Sequence, residues 1–174
     1  GEGSPNYNSS ADGNNGLSPD NGLSTIAAAL AKVDEYDIIV LDGVFREQCV
    51  APQDVFDVTI IGAVNRPRQA TDGGVATGGG ASWLSPTSPT ATTPLLKLRE
   101  QGWTLANLQM APVAGSACVR LSRAETAADM DASHAVFSNM YFVGGGLTGI
   151  GIEDVGGCGN VLVTNCQFQS IADA

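Results

Sequence analysis

Three six-residue phrases share one order of hydrophobic and polar positions. They are Leu105-Ala106-Asn107-Leu108-Gln109-Met110, Phe137-Ser138-Asn139-Met140-Tyr141-Phe142 and Val163-Thr164-Asn165-Cys166-Gln167-Phe168. Each reads apolar, small, Asn, apolar, polar, apolar. Alternation on either side of the Asn is the period of a strand, not of a helix. Asn tolerates the left-handed backbone conformation better than any other residue with a side chain. Each phrase therefore predicts a strand, a one-residue bend and a second strand. A further short apolar stretch precedes each phrase: Leu95-Leu96-Lys97-Leu98, Cys118-Val119-Arg120-Leu121 and Ile150-Gly151-Ile152. The bends lie 32 and 26 residues apart. Repetition at that spacing predicts a solenoid with three short strands per coil, each coil covering the apolar face of the last. Asn107, Asn139 and Asn165 should then form a ladder along one corner.

The rest of the chain extends this pattern. Tyr36 to Gln48 reads as a strand, a tight Asp42-Gly43 turn and a second strand, and Val58-Thr59-Ile60-Ile61-Gly62 as another strand. Leu23 to Val33 is the one helix candidate, with Ser24 as its cap and Ile26, Ala27, Leu30 and Val33 on one stripe. Gly1 to about Asp20 has almost nothing apolar and cannot repay its ordering entropy alone, so residues 1–22 are expected to be an arm or linker, with the β domain spanning 23–174. Residues from about 65 to 93, rich in Gly, Thr, Ser and Pro, are expected to be a long inserted loop. Trp83 in that loop is a candidate stacking platform for a sugar or a partner; the alternative is that it folds back over the coil edge. The chain stops at Ala174 just after a strand, and solenoids need their ends covered. Further residues or another subunit are therefore expected there.

A small helix, then Asp37-Ile38-Ile39-Val40-Leu41-Asp42-Gly43-Val44-Phe45-Arg46-Glu47-Gln48, then Val58-Thr59-Ile60-Ile61-Gly62, is similar to the opening of the right-handed parallel β-helix superfamily. That pectate lyase-like group includes pectate lyases, pectin methylesterases and phage tailspikes. The resemblance covers Leu23 to Gly62, and the Asn phrases extend it to Ile171. It implies an all-β, right-handed parallel β-helix behind a short capping helix. It is nearly silent about activity, because one solenoid hosts many functions.

Composition narrows the function classes. The 174 residues carry a formal net charge of −10, only 15% charged residues and 22 glycines. Such a surface lacks the basic footprint that nucleic acid needs. No apolar run is long enough to span a membrane as a helix. Cys49, Cys118, Cys158 and Cys166 form no CxxC pair, so no zinc site is expected. Free buried thiols and a reducing compartment are the preferred reading, with a Cys158–Cys166 bridge left open.

Candidate chemistry is sparse. His134 is the one histidine and no G-x-S-x-G nucleophile motif is present. Asp129 and Asp131, two apart in the Ser122–Ser133 loop, are the catalytic pair if the chain is an enzyme. Glu153 and Asp154 are adjacent on a strand and so point to opposite faces. Lyases of the resembled superfamily use carboxylate-bound calcium, which would then be the cofactor; otherwise no cofactor or metal is expected. The arginines at 46, 66, 68, 99, 120 and 123 form no lyase motif.

The preferred expectation is a structural or adhesive virion protein, such as a capsid decoration protein, a head fibre or a tailspike-like stem. It would be anchored through residues 1–22 to other virion proteins, be made in a host cytoplasm, and meet a cell-surface glycan. A homo-oligomer is expected, with a trimer as one form. The alternatives are a polysaccharide lyase or glycoside hydrolase, and a non-catalytic carbohydrate-binding module; either implies a secreted or cell-surface location.

Overall fold

The computed structural model describes residues 16–17, 22–63, 81–90, 92–124, 126, 130–144, 149–169 and 171–173. Residues 1–15 and 18–21 of the expected arm, residues 65–80 and 91 of the expected loop, and Asp129 lie outside the described residues.

The chain cycles through three sheets. One sheet holds β1 (Ile38–Leu41), β4 (Thr59–Gly62), β7 (Thr104–Ala106), β10 (Val136–Ser138) and β13 (Leu162–Thr164). The second holds β2 (Gly43–Arg46), β5 (Ala81–Leu84), β8 (Leu108–Ala111), β11 (Tyr141–Val143) and β14 (Gln167–Gln169). The third holds β3 (Cys49–Val50), β6 (Leu96–Leu98), β9 (Ala117–Ser122), β12 (Gly149–Val155) and β15 (Ile171–Asp173). Each strand pairs in parallel with the strand three places on. The result is a three-sided parallel β solenoid of five coils.

Because the strand period is two, every second residue of a short strand points inward and stacks on its equivalent one coil away. On the first sheet the inward column is Ile39, Ile60, Leu105, Phe137 and Val163. On the second it is Phe45, Trp83, Met110, Phe142 and Phe168. On the third it is Cys49, Leu96, Val119 and Ile152. These columns meet in one core. Phe142 stacks on Phe168 with ring centroids 4.9 Å apart and meets Phe137 edge-on at 6.2 Å. In the last coil Val163 and Phe168 keep these column positions but are each 43% exposed.

The outward faces of the sheets differ. On the third, Lys97, Arg120 and Glu153 stand in one row, and Arg120 pairs with Glu153 at 2.7 Å. On the first, the two outward columns are Ile38, Thr59, Thr104, Val136, Leu162 and Val40, Ile61, Ala106, Ser138, Thr164. On the second, Ser82 and Gln109 are adjacent in an outward row and fully buried. Neither amide atom of Gln109 has a hydrogen-bond partner among the described residues. A buried amide without partners costs its full desolvation, so Gln109→Leu is expected to raise stability by about 1–2 kcal/mol. Urea unfolding of the two proteins measures this.

The helix is shorter than the sequence suggests. It runs Ile26–Leu30, and Thr25, not Ser24, caps it by accepting from the Ala28 N–H at 3.1 Å. The start is fixed from the first coil. The Glu47 carboxylate accepts the N–H groups of Ile26 at 2.8 Å and Ala27 at 3.0 Å, filling two donors that a helix start leaves open. Ile26, Leu30 and Val33 are buried in the shared core.

The expected inserted loop also needs correction. Strand β5 lies within it, paired with β2 and β8. All four of its residues are buried, so the apolar alternation that marks a half-exposed strand is missing.

Candidate functional site

The corner between the first and second sheets is a single-residue bend in the last three coils. Asn107, Asn139 and Asn165 adopt φ of 57°, 54° and 51°. They stand one above another and are joined through their side chains. The Asn139 Nδ2 donates to Asn107 Oδ1 at 2.7 Å, and the Asn165 Nδ2 donates to Asn139 Oδ1 at 3.1 Å. This ladder binds coil to coil.

A second left-handed column runs along the corner between the third and first sheets. It comprises Tyr36, Asp57, Gly102, His134 and Asn160, with φ of 67°, 56°, 77°, 61° and 54°. Each lies two residues before the start of a paired strand, so the register of the first sheet stacks all five. The N–H of one donates to the carbonyl beside the next: Asp57 to Gln101 at 3.1 Å, Gly102 to Ser133 at 3.1 Å, and His134 to Gly159 at 3.0 Å. Gly102 fits here because a Cβ would collide with the Asp57 carboxylate. Beside it lies a cleft of about 530 Å³ lined by Glu35, Tyr36, Phe56, Asp57, Gln101 and His134. Tyr36 is 73% exposed at its edge. The Asn160 Nδ2 lies 3.2 Å from His134 Nε2, within hydrogen-bond distance.

This cleft is the one concave surface on which an imidazole, two carboxylates and an exposed aromatic converge among the described residues. Sequence reading missed it, because its column is written in five different residue types. The repeated signal is conformational, and only the stacking reveals it.

The described carboxylates that the sequence singles out bond within the chain itself. Asp131 Oδ1 accepts the Ser133 N–H at 3.0 Å and the Ser133 hydroxyl at 2.5 Å, and the Ser133 Oγ in turn accepts the Gly159 N–H at 2.7 Å. Arg123 stands 3.9 Å from its second oxygen. The Ser133 hydroxyl is the chief reason the Asp131 carboxyl titrates below the usual carboxylate range; partial burial opposes this, while the Ser133 N–H, Arg123 and His134 assist. A depressed folded-state value stabilises above the unfolded value of about 3.9, and that stability is lost as pH falls through the folded value. Asp131→Asn is therefore expected to be less stable than the parent at neutral pH. The gap should close as the pH drops below about 4, read as the difference in urea midpoints.

Glu153 is held by Arg120, and Asp154 Oδ1 accepts the Cys158 N–H at 2.9 Å. Arg99 donates to the Ala51 carbonyl at 2.7 Å. Trp83 is fully buried, its indole N–H donating to the Glu47 carbonyl at 3.0 Å, so it presents no face to a sugar. Cys49, Cys118, Cys158 and Cys166 are free thiols. Burial is the main cause that pushes them up, Cys49 to about 12 with the Glu47 charge assisting, and Cys158 to about 11. Cys118 and Cys166 move in the same direction. These are poor nucleophiles.

Compared with protein-family models, with characterised proteins and with solved structures, the chain gives no match.

Proposed function

We propose that this chain is a structural or adhesive module, a short rigid rod of the kind displayed on virions, and that its coil is right-handed. The handedness rests on the resemblance at Leu23–Gly62 and on the strong right-handed bias of parallel strand connections. One observation carries the functional reading. Asp131, Glu153 and Asp154, the described acids that the sequence singles out, and the amide of Asn139 are bonded to the chain's own coils: Asp131 to Ser133, Glu153 to Arg120, Asp154 to Cys158 and Asn139 to both of its neighbours. They hold loops and corners at fixed spacing, which is what a rod requires.

The test is turnover. Incubated with a panel of acidic and neutral polysaccharides, with and without calcium, the protein is expected to release no new reducing ends and no unsaturated sugars. Cleavage that disappears in Asp131→Asn while the fold persists would establish the lyase or hydrolase reading instead.

A further inference from the structure

At the strand ends of the second sheet lies a groove of about 390 Å³, within the size range of small-molecule sites. Its floor is one outward row read across three coils, with Arg46 beside Leu84 and Leu84 beside Ala111. The segment that follows β5 contributes Ser85, Pro86 and Pro89, and Val113 adds a further apolar side chain. No acidic residue lines the groove among the described residues. Its wall is set in advance. From the first coil, the Gln48 amide donates to the Thr90 carbonyl at 3.0 Å and to the Thr93 carbonyl at 2.7 Å, and its oxygen accepts the Thr90 N–H at 2.9 Å. Pro86 and Pro89 each have a fixed φ, so the wall has little freedom left to lose on binding.

Two polar groups in this groove are left over. Arg120 pairs with Glu153 and Arg123 stands beside Asp131, whereas Arg46 has no carboxylate beside it among the described residues. In a chain with 18 Asp and Glu against 8 Lys and Arg, that is the less expected outcome. The Arg46 Nη1 reaches the Ser85 carbonyl at a long 3.4 Å, and a guanidinium has further donors to offer. The Ser85 Oγ is buried and has no hydrogen-bond partner among the described residues. A buried hydroxyl without a partner is costly, and an occupant that supplies one removes the cost.

We propose that this groove binds a small carboxylate with an apolar body. The carboxylate sits on the Arg46 guanidinium, whose planar fork matches it with two parallel bonds. The Ser85 hydroxyl donates to the same group. The body lies on Leu84 and Ala111, against the two prolines and Val113. Neighbouring strands are about 4.8 Å apart, so the floor beyond the guanidinium takes a chain of roughly four to six carbons. Both ends select. A bare anion leaves the apolar floor wet, and a neutral chain leaves Arg46 without its counter-charge. The site goes beyond the rod reading and stands whether or not the chain is a rod.

Hexanoate is the probe, titrated into the full chain and followed by amide NMR spectra. Saturable shifts are expected at Ser85, Ala111 and Val113 and at the Arg46 side-chain N–H. Hexanamide, which keeps the body and loses the charge, should bind about fivefold more weakly, the upper range for an exposed ion pair. Acetate, which keeps the charge and loses the body, should bind more weakly still, because each buried methylene counts. Arg46→Gln should weaken hexanoate about fivefold and leave hexanamide as it was, a pattern that loss of folding does not produce. Lys97→Gln removes the same charge from the third sheet and should change neither. Ala111→Leu fills the floor at constant charge and should weaken both, which keeps the test decisive if the Arg46 variant folds poorly. The absence of any saturable shift overturns the proposal. So does hexanamide binding as tightly as hexanoate, and so does an equal loss in Lys97→Gln and Arg46→Gln.

Discussion

Trp83→Ala is expected to remove about 3–5 kcal/mol of stability, the usual cost of truncating a large buried aromatic. The ring is fully buried and stacks between Phe45 and Met110 in the inward column of the second sheet. Coils above and below are fixed by their own hydrogen bonds, so the void cannot collapse readily. The loss also takes away the donor that satisfies the Glu47 carbonyl. Glu47 holds the start of the capping helix through its carboxylate, so the damage should spread to the first coil. Domains of this size have about 5–15 kcal/mol in total. The variant should therefore unfold at a much lower urea concentration, and its helix should loosen first. Trp83→Phe separates the two contributions: it keeps most of the packing and loses only the N–H, at roughly 1 kcal/mol for the bond plus a smaller void. Equal stability of Trp83→Ala and the parent would mean that the indole lies outside the core.

The same residue shows why part of the fold was legible and part was not. Trp83 sits between Gly- and Pro-rich stretches, and on composition alone the segment reads as a loop. What makes it a strand is tertiary: it pairs with β2 and β8, and Ala81 to Leu84 are all buried, so such a strand has no alternation to read. The helix cap was misplaced by one residue for a related cause. Ser24 and Thr25 are both acceptable caps, and Glu47, at the corner between β2 and β3, decides between them. By contrast, the Asn phrases were readable because the same residue type makes the same left-handed bend in each of the three coils.

The candidate site divides in the same way. Asp131 was visible as a carboxylate, but its engagement with Ser133, two residues on, is a local turn that removes it from the list of free acids. The His134 cleft was invisible, since Tyr36, Asp57, Gly102, His134 and Asn160 share a backbone state without sharing a chemistry. A search for left-handed positions at equivalent places in each coil would find it; a search for repeated letters would not.

The second large effect is expected at Asn139. It holds a left-handed backbone with φ of 54°, donates to Asn107, accepts from Asn165, and passes its own N–H to the Thr164 carbonyl at 3.0 Å. Asn139→Val keeps only the last of these. Two side-chain bonds are lost at about 1 kcal/mol each. The left-handed state costs a residue with a Cβ roughly 1–2 kcal/mol, and β-branching makes it worse. The sum is about 3–4 kcal/mol. Asn139→Gly adopts the bend freely and loses only the ladder, so it should cost about half as much. The difference between the two variants isolates the bend from the hydrogen bonds, and chemical denaturation of both measures it. If valine proved no worse than glycine, the corner would not require its left-handed geometry. The ladder's hydrogen bonds would then be what keeps successive coils in register at that edge.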